Sequence, residues 1–536
     1  MLPSKPHPYR IALNRVTFGA RDSDVETINA MGWAPWVEAQ LSPPPGDEAS
    51  LDAFIKAQTM RIRYEAPAAT DTRGTWSAVD ENRPLNYINA ETPTLWAITR
   101  GAGVAFSSAE RTRIRQELAA ATWIRNAHSN YQLREFMTDF WHNHFNIGKN
   151  ENELATSLLP IYDRVAIRPN VFGNFRTLLE AVATSSSMLI YLDNWVSSAS
   201  TPNENFAREI MELHTLGGAA YAGTTSADQV ARDLNGIAMA FTDQDVIQAS
   251  RALSGWTVQY GQRGVNNVVQ PNTGEFMFNL AQHNRNAGGL LGVNMATLTS
   301  TDMTQGRKFL DTIAAHSATA TFIVNKLARR IFGDTPPQSV IDRGALAWKM
   351  HQSATDQIAR VLRAMLIDGP EVMTEPPTKV RRPYERMIAL TRTAGLVVKP
   401  GTFMTSLLDP LSDGLFAWQA PNGRPDVNSY WLATGSTVAT WNLMFQVPNL
   451  AEFTSVSLAN QSPLEAMSSA TAIVEYWIGR MVGATLSQSA MNALVADQAG
   501  SNGIPAAVRT RTTTRIENAH RRLISLIATS EEFTLR

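Results

Sequence analysis

The chain has 536 residues, 44% of them hydrophobic, with a formal net charge of −1 and no cysteine. That balance gives no electrostatic ground for binding nucleic acid or an anionic membrane surface, and the missing cysteine removes disulfides, thiolate nucleophiles and zinc–thiolate sites together. No apolar run approaches bilayer-spanning length, and the opening Met1-Leu2-Pro3-Ser4-Lys5-Pro6 lacks the apolar core of a secretory leader, which leaves a cytoplasmic protein or one whose leader lies outside this sequence.

Leu13 to Ala20 leads into a helix begun near Asp22, and a second helix starts around Pro35 with Trp36, Val37 and Leu41. Residues 43–50 and 64–92, rich in Pro, Ala, Thr, Asn and charge, are expected to be long surface loops. Ser107 or Ser108 with Glu110 opens a long helix through Leu118, Trp123 and Ile124. The next segment, continued as a helix, puts Leu133, Phe136, Met137, Phe140 and His144 on one stripe and Glu135, Asp139 and His142 on the other side. Residues 151–195 are expected to form two helices, the second from Asn174 to Leu192.

The stretch from Thr201 to Gly217 has helix signals at both ends. Thr201 with Glu204 makes a capping box, Pro202 falls at the first helical position and Gly217 marks the exit. Phe206, Ile210, Leu213 and Leu216 form its apolar stripe, while Glu204, Arg208 and Glu212 follow each other at i, i+4 as a ladder of charge pairs. Glu209 projects into the apolar sector, where a carboxylate needs a partner or a raised pKa.

After a Gly/Ala/Thr-rich passage, Thr242 opens a helix to Gly255-Trp256, and residues 257–281 predict a small hairpin, the one β excursion. Helices resume at 303–315, 318–332, 337–350 and 354–368, then from Arg382-Pro383-Tyr384-Glu385. Gly401 to Ser429 is irregular. Further helices are expected from Thr437, from a capping box at Ser462-Pro463-Leu464-Glu465, from Ser487 and from Ala506 to Ala528. The class is predominantly α: one large multi-helical domain over 1–536, with an N-terminal half (13–255) carrying the polar motifs and a C-terminal half (282–536).

Leu13-Asn14-Arg15-Val16-Thr17-Phe18-Gly19, Phe140-Trp141-His142-Asn143-His144-Phe145, Asn203 to Gly217, Ala252-Leu253-Ser254-Gly255-Trp256, His283 with Leu291-Gly292, Lys326-Leu327-Ala328-Arg329-Arg330, Arg382-Pro383-Tyr384-Glu385, and Ala420-Pro421-Asn422-Gly423 with Trp431-Leu432 run in one order along the chain. In that order they resemble the bacterial DUF1800 family of unknown function. The resemblance implies one large helical unit, a periplasmic or secreted setting, and a sulfatase-like partner protein, with work on envelope polymers. It carries no catalytic assignment. The chain departs from the family's usual His-Asp-x-Gly-x-Lys at His283-Asn284-Arg285-Asn286-Ala287-Gly288, where the acidic and lysine positions are missing.

No Walker loop, dinucleotide glycine fingerprint, Gly-x-Ser-x-Gly elbow or His-Glu-x-x-His stands in the sequence. Three function classes remain open. The first is a metal-free hydrolase acting on a carbohydrate or other envelope-associated polymer. Burial moves the pKa of Glu209 and His144 toward neutrality, where proton transfer is efficient; Glu212 supplies a second carboxylate. Arg208, Asn205, Asn143 and His283 could contact the oligosaccharide, and Trp141, Trp256 and Trp418 could stack on it. The second is a divalent-metal enzyme using Asp139, His142, His144, Glu209, Glu212 and His214; its i, i+3 spacings fit helical metal sites, but His142 and His144 at i, i+2 point apart on a helix. In the third, a scaffold or binding protein, Glu209 and His144 only fix helix register, His142 pairs with Asp139 at the surface, and Arg382 pairs locally with Glu385.

Overall fold

Apolar residues at helical spacing, bounded by cap residues, become the elements of the computed structural model, which describes residues 2–68, 75–100, 106–148, 153–453, 456–500 and 514–536. Those that position the site are α1 (Pro8–Val16), α2 (Ser108–His128), α3 (Gln132–His144), α4 (Phe175–Ala183), α5 (Ser186–Tyr191), α6 (Glu204–Glu212), α7 (Asp243–Leu253), α8 (Ser317–Phe332), α9 (Pro383–Thr393), α10 (Ala470–Met481) and α11 (Thr514–Ala528). Several start where the sequence predicts: Ser107 accepts from the Ala109 amide, Thr242 and Asp245 form a capping box on α7, and Pro383 takes the first position of α9.

The β structure exceeds the single predicted hairpin. Strands β1 (Thr59–Tyr64) and β2 (Val79–Pro84) pair antiparallel with Thr59 opposite Pro84; β3 (Trp256–Tyr260) and β4 (Asn272–Phe278) are the predicted hairpin; β5 (Gly289–Leu290) and β6 (Val293–Asn294) make a third two-stranded ribbon. The β1–β2 ribbon corrects the expected 64–92 loop. Only Met60 and Ile62 of β1 turn inward, too short an alternation to stand out among arginines.

Other departures have local causes. Thr201 spends its hydroxyl on Ser198, so Asn203 caps α6 by accepting from the Phe206 amide (2.9 Å), and Pro202 precedes the helix. The helix stops at Glu212, because the Leu216 and Gly217 amides fold back onto Met211 O (2.7 and 3.3 Å). The helix expected from Asn174 to Leu192 is two, α4 and α5, broken at Thr184-Ser185. Ser462 is buried and bonds Leu458 O and His520, so the helix expected there begins only at Ala470, capped by Ser469. The predicted start at Ala506 lies outside the described residues; α11 is described from Thr514.

One cluster of buried apolar side chains runs from Ala12 to Phe533, with Trp96, Trp123, Trp141, Trp256, Trp348 and Trp477 fully enclosed. Helix α3 lies inside it and is buried on both faces, with Glu135 and Asp139 as deep as Phe136 and Phe140. A helix interior to the protein must neutralise such carboxylates; where their partners sit decides what each face can do. Among the described residues no helix is long and apolar enough to cross a membrane.

Candidate functional site

Two polar faces of α3 separate at the i, i+2 step between His142 and His144. His142 Nε2 bonds Asp163 Oδ1 (2.8 Å), not Asp139, which corrects the expected surface pair. Arg168 bridges Asp163 (2.9 Å) and Glu135 (2.9 Å), and Arg134 reaches Glu135 (3.0 Å). Burial pushes the Asp163 carboxyl up, but Arg168, His142 and Arg125 pull it well below its ordinary value. The void beside this cluster is about 20 Å³, room for one water.

The other face opens into a cavity of about 260 Å³ lined by Asp139, Phe140, Asn143 and His144 of α3, Lys326, Arg329 and Arg330 of α8, Arg382, and the 422–426 loop. Five of these residues are cationic (Lys326, Arg329, Arg330, Arg382, Arg424) and two, Asp139 and Asp426, are acidic. Asp139 accepts from Arg330 (2.9 Å) and Arg382 (2.6 Å), and Asp426 is held by Lys379 (2.8 Å). Behind the wall, Glu385 meets Arg330 and Arg536, and Asp413 lies 3.4 Å from Arg424 and 3.7 Å from Arg382. Arg382 and Glu385 thus belong to a long-range buried network, beyond the local pair expected from sequence. Lys326 and Arg329 have no carboxylate within ion-pair distance among the described residues.

Lys326 Nζ lies 2.8 Å from His144 Nδ1, and His144 Nε2 lies 3.0 Å from His214 O. A carbonyl only accepts, so Nε2–H donates and Nδ1 is left to accept from the lysine. In return His214 Nδ1 donates to His144 O (3.1 Å). Both imidazoles are therefore neutral: burial, then Lys326, hold His144 well below its ordinary value and His214 at about 3. Burial pushes the Lys326 ammonium down to about 8, against the pull of Asp426.

The loop that closes the cavity is pinned to the end of α3. Asn143 donates to Arg424 O (3.1 Å) and accepts from the Arg424 amide (2.8 Å), while Asn146 donates to Trp418 O (3.0 Å) and Ala420 O (2.8 Å). The approach demands glycine at two points. At Gly423, with φ +74°, a Cβ would stand 2.1 Å from Asn143 O; at Gly148 it would stand 2.0 Å from Trp418 O.

Of the residues singled out from sequence, His144, Asn143 and Asp139 line this cavity and His214 supports it. Glu209 does not line it. It is half-buried, with no ion pair or side-chain hydrogen bond among the described residues; burial raises its pKa, Glu212 adds to that, and Arg208 opposes weakly. Arg208 has left the expected ladder for Asp243 (3.0 Å) and the Tyr221 ring, Glu212 is half-buried, and Asn205 is exposed. Trp141 and Trp256 are fully buried, so neither can stack on a sugar; Trp141 donates to Val171 O inside the core. His283 is buried against Ser254 O (2.8 Å), away from the cavity. Trp418 stays half-buried beside an open cleft. The metal set is not assembled: among the described residues no three His, Asp or Glu side chains gather as a cation requires.

Sequence reasoning missed Lys326, Arg329, Arg330, Arg382 and Arg424 as site residues. The available signal was on α8, where Lys326, Arg329 and Arg330 stand at i, i+3 and i+4 in a helix that contains no acid. No curated protein and no solved structure matches this chain. The model of the family described as "Protein of unknown function (DUF1800)" matches residues 11–535, essentially the whole chain, and the protein belongs to that family.

Proposed function

We propose that this protein is an enzyme that captures an anionic group of its substrate in the cavity between α3, α8 and the 422–426 loop, and moves a proton on it with the His144–Lys326 pair. The observation that carries this is the surplus of positive charge around a cavity, with half-buried Lys326 and exposed Arg329 without carboxylate partners among the described residues. Unpartnered cations beside open volume favour an oxyanion such as a carboxylate, phosphate or sulfate. A neutral imidazole hydrogen-bonded to an amine near its titration point supports proton transfer close to neutral pH. An acidic carbohydrate or envelope polymer, handled outside the cytoplasm, is the substrate setting that goes with the family resemblance. In this reading acid–base work passes from Glu209 to His144 and Lys326.

Calorimetric titration with inorganic phosphate, sulfate and a dicarboxylate tests it. One saturable site per chain is expected, weakened about tenfold or more in Lys326→Met. No saturable binding by the unaltered protein would sink the proposal.

A second reading keeps the hydrolytic carboxylates. It is favoured by Glu209, half-exposed, raised in pKa and without a partner among the described residues, with Glu212 nearby. Glu209→Gln assayed against a glycan panel decides it: turnover retained at the parent's rate removes that pair.

A further inference from the structure

We propose that Lys326 is a nucleophile, whose Nζ condenses with the carbonyl carbon of a small anionic oxo compound, an aldehyde or ketone acid, seated in the cavity. This rests on the anion-binding reading of the same site and adds the bond that forms there. Two lysines, Lys379 buried and Lys326 half-buried, show why the inference falls on the second. Lys379 is paired with two carboxylates, Asp334 at 3.2 Å and Asp426 at 2.8 Å. Among the described residues Lys326 has only His144 Nδ1 at 2.8 Å and the Phe322 ring at 5.3 Å as close partners; Arg329, Arg330, Arg382 and Arg424 share its cavity with Asp139 and Asp426, and both of those acids are already held by other cations. A lysine desolvated among other cations is held ready as the free amine, the form that attacks carbonyls. The titration of Lys326 near 8 is in keeping with this. The arginines fix the acid group of the ligand while the amine meets its carbonyl, which is the positioning that such a reaction needs.

The step balances without an oxidant. The Lys326 ammonium gives one proton to His144 Nδ1. The freed amine attacks the carbonyl carbon, forming the C–N bond as the π pair moves to oxygen. That oxygen takes the proton back from His144 and a second one from the nitrogen, the C–O bond breaks and water leaves. The product is a protonated imine carrying the remaining N–H.

Glyoxylate with cyanoborohydride traps the imine as a stable secondary amine, located by peptide mass mapping. The expected result is one adduct, on Lys326, formed at least about tenfold faster than on exposed Lys349, slowed by added sulfate, and faster as pH rises through about 8. Lys326→Arg and Lys326→Met, each checked for a parent-like melting curve, should lose it. Labelling of Lys326 no faster than Lys349 would overturn the proposal. If sulfate binds calorimetrically but no Lys326 adduct forms, the nucleophile falls and the anion site stands; if sulfate does not bind either, both fall.

Discussion

On the His142 face of α3, Glu135 and Asp163 meet Arg168, Arg134 and Arg125 around a void for a single water. On the His144 face, one step further along the same helix, Lys326 and Arg329 stand without a carboxylate in ion-pair distance among the described residues, beside about 260 Å³ of space. Both faces are polar and rich in arginine, and their α3 acids, Glu135 and Asp139, are buried. The first is closed and neutralised, so it can only hold the fold; the second has charge left over and room for a ligand. Burial of a polar group therefore does not mark function here. Unmatched charge next to open volume is what the proposed function rests on.

The largest effect that sharpens this contrast is on stability. Asp163→Ala leaves His142 without its partner and takes from Arg168 one of its two buried carboxylates, Glu135 remaining, and is expected to cost about 3–5 kcal/mol in urea unfolding. Lys326→Met removes a desolvated cation with no carboxylate partner among the described residues and is expected to leave stability within about 1 kcal/mol or to raise it, while weakening anion binding about tenfold or more. If Lys326→Met unfolds the protein as severely as Asp163→Ala, the two faces do not differ in kind.

The next effect is in pH. His144 and His214 have folded-state pKa values depressed below 6.5, so as pH falls through 6.5 the unfolded chain takes up protons the native state refuses. Stability is then lost with falling pH, by about 1.4 kcal/mol per pH unit for each such histidine between pH 6 and 5. His214→Asn should reduce that slope by about one proton. Lys326 acts at the other end: depressed to about 8 from 10.5, it makes stability rise as pH climbs between those values. Chemical denaturation across pH measures both.

Smaller still, Arg329→Ala should lower anion affinity several-fold and, since the side chain is exposed, change stability by less than about 0.5 kcal/mol. Smallest is Glu209→Gln, which relieves repulsion with Glu212 and should leave anion binding unchanged. A loss of anion binding in Glu209→Gln would join two sites held separate here.

The sequence made the helices legible where caps and apolar spacing agreed, as at Ser107, Thr242 and Pro383, and it singled out His144 and Asn143, which line the cavity. It was silent on pairing. Nothing local tells that Asp139 will meet Arg330 and Arg382, which lie 191 and 243 residues away, or that Arg208 will turn to Asp243. Glu209 drew attention because an acid on an apolar stripe is visible in one helix. Lys326 did not, because its lack of a partner becomes visible only once the acids of α3 and the 413–426 loop have chosen theirs.

The most direct test is crystallographic: crystals soaked in selenate and measured at the selenium edge, before and after Lys326→Met. An anomalous peak in the cavity, within hydrogen-bonding reach of Lys326 Nζ and the flanking guanidinium groups and lost in the variant, is the predicted result. Peaks only on surface cations, or an unchanged cavity peak in Lys326→Met, would contradict the account.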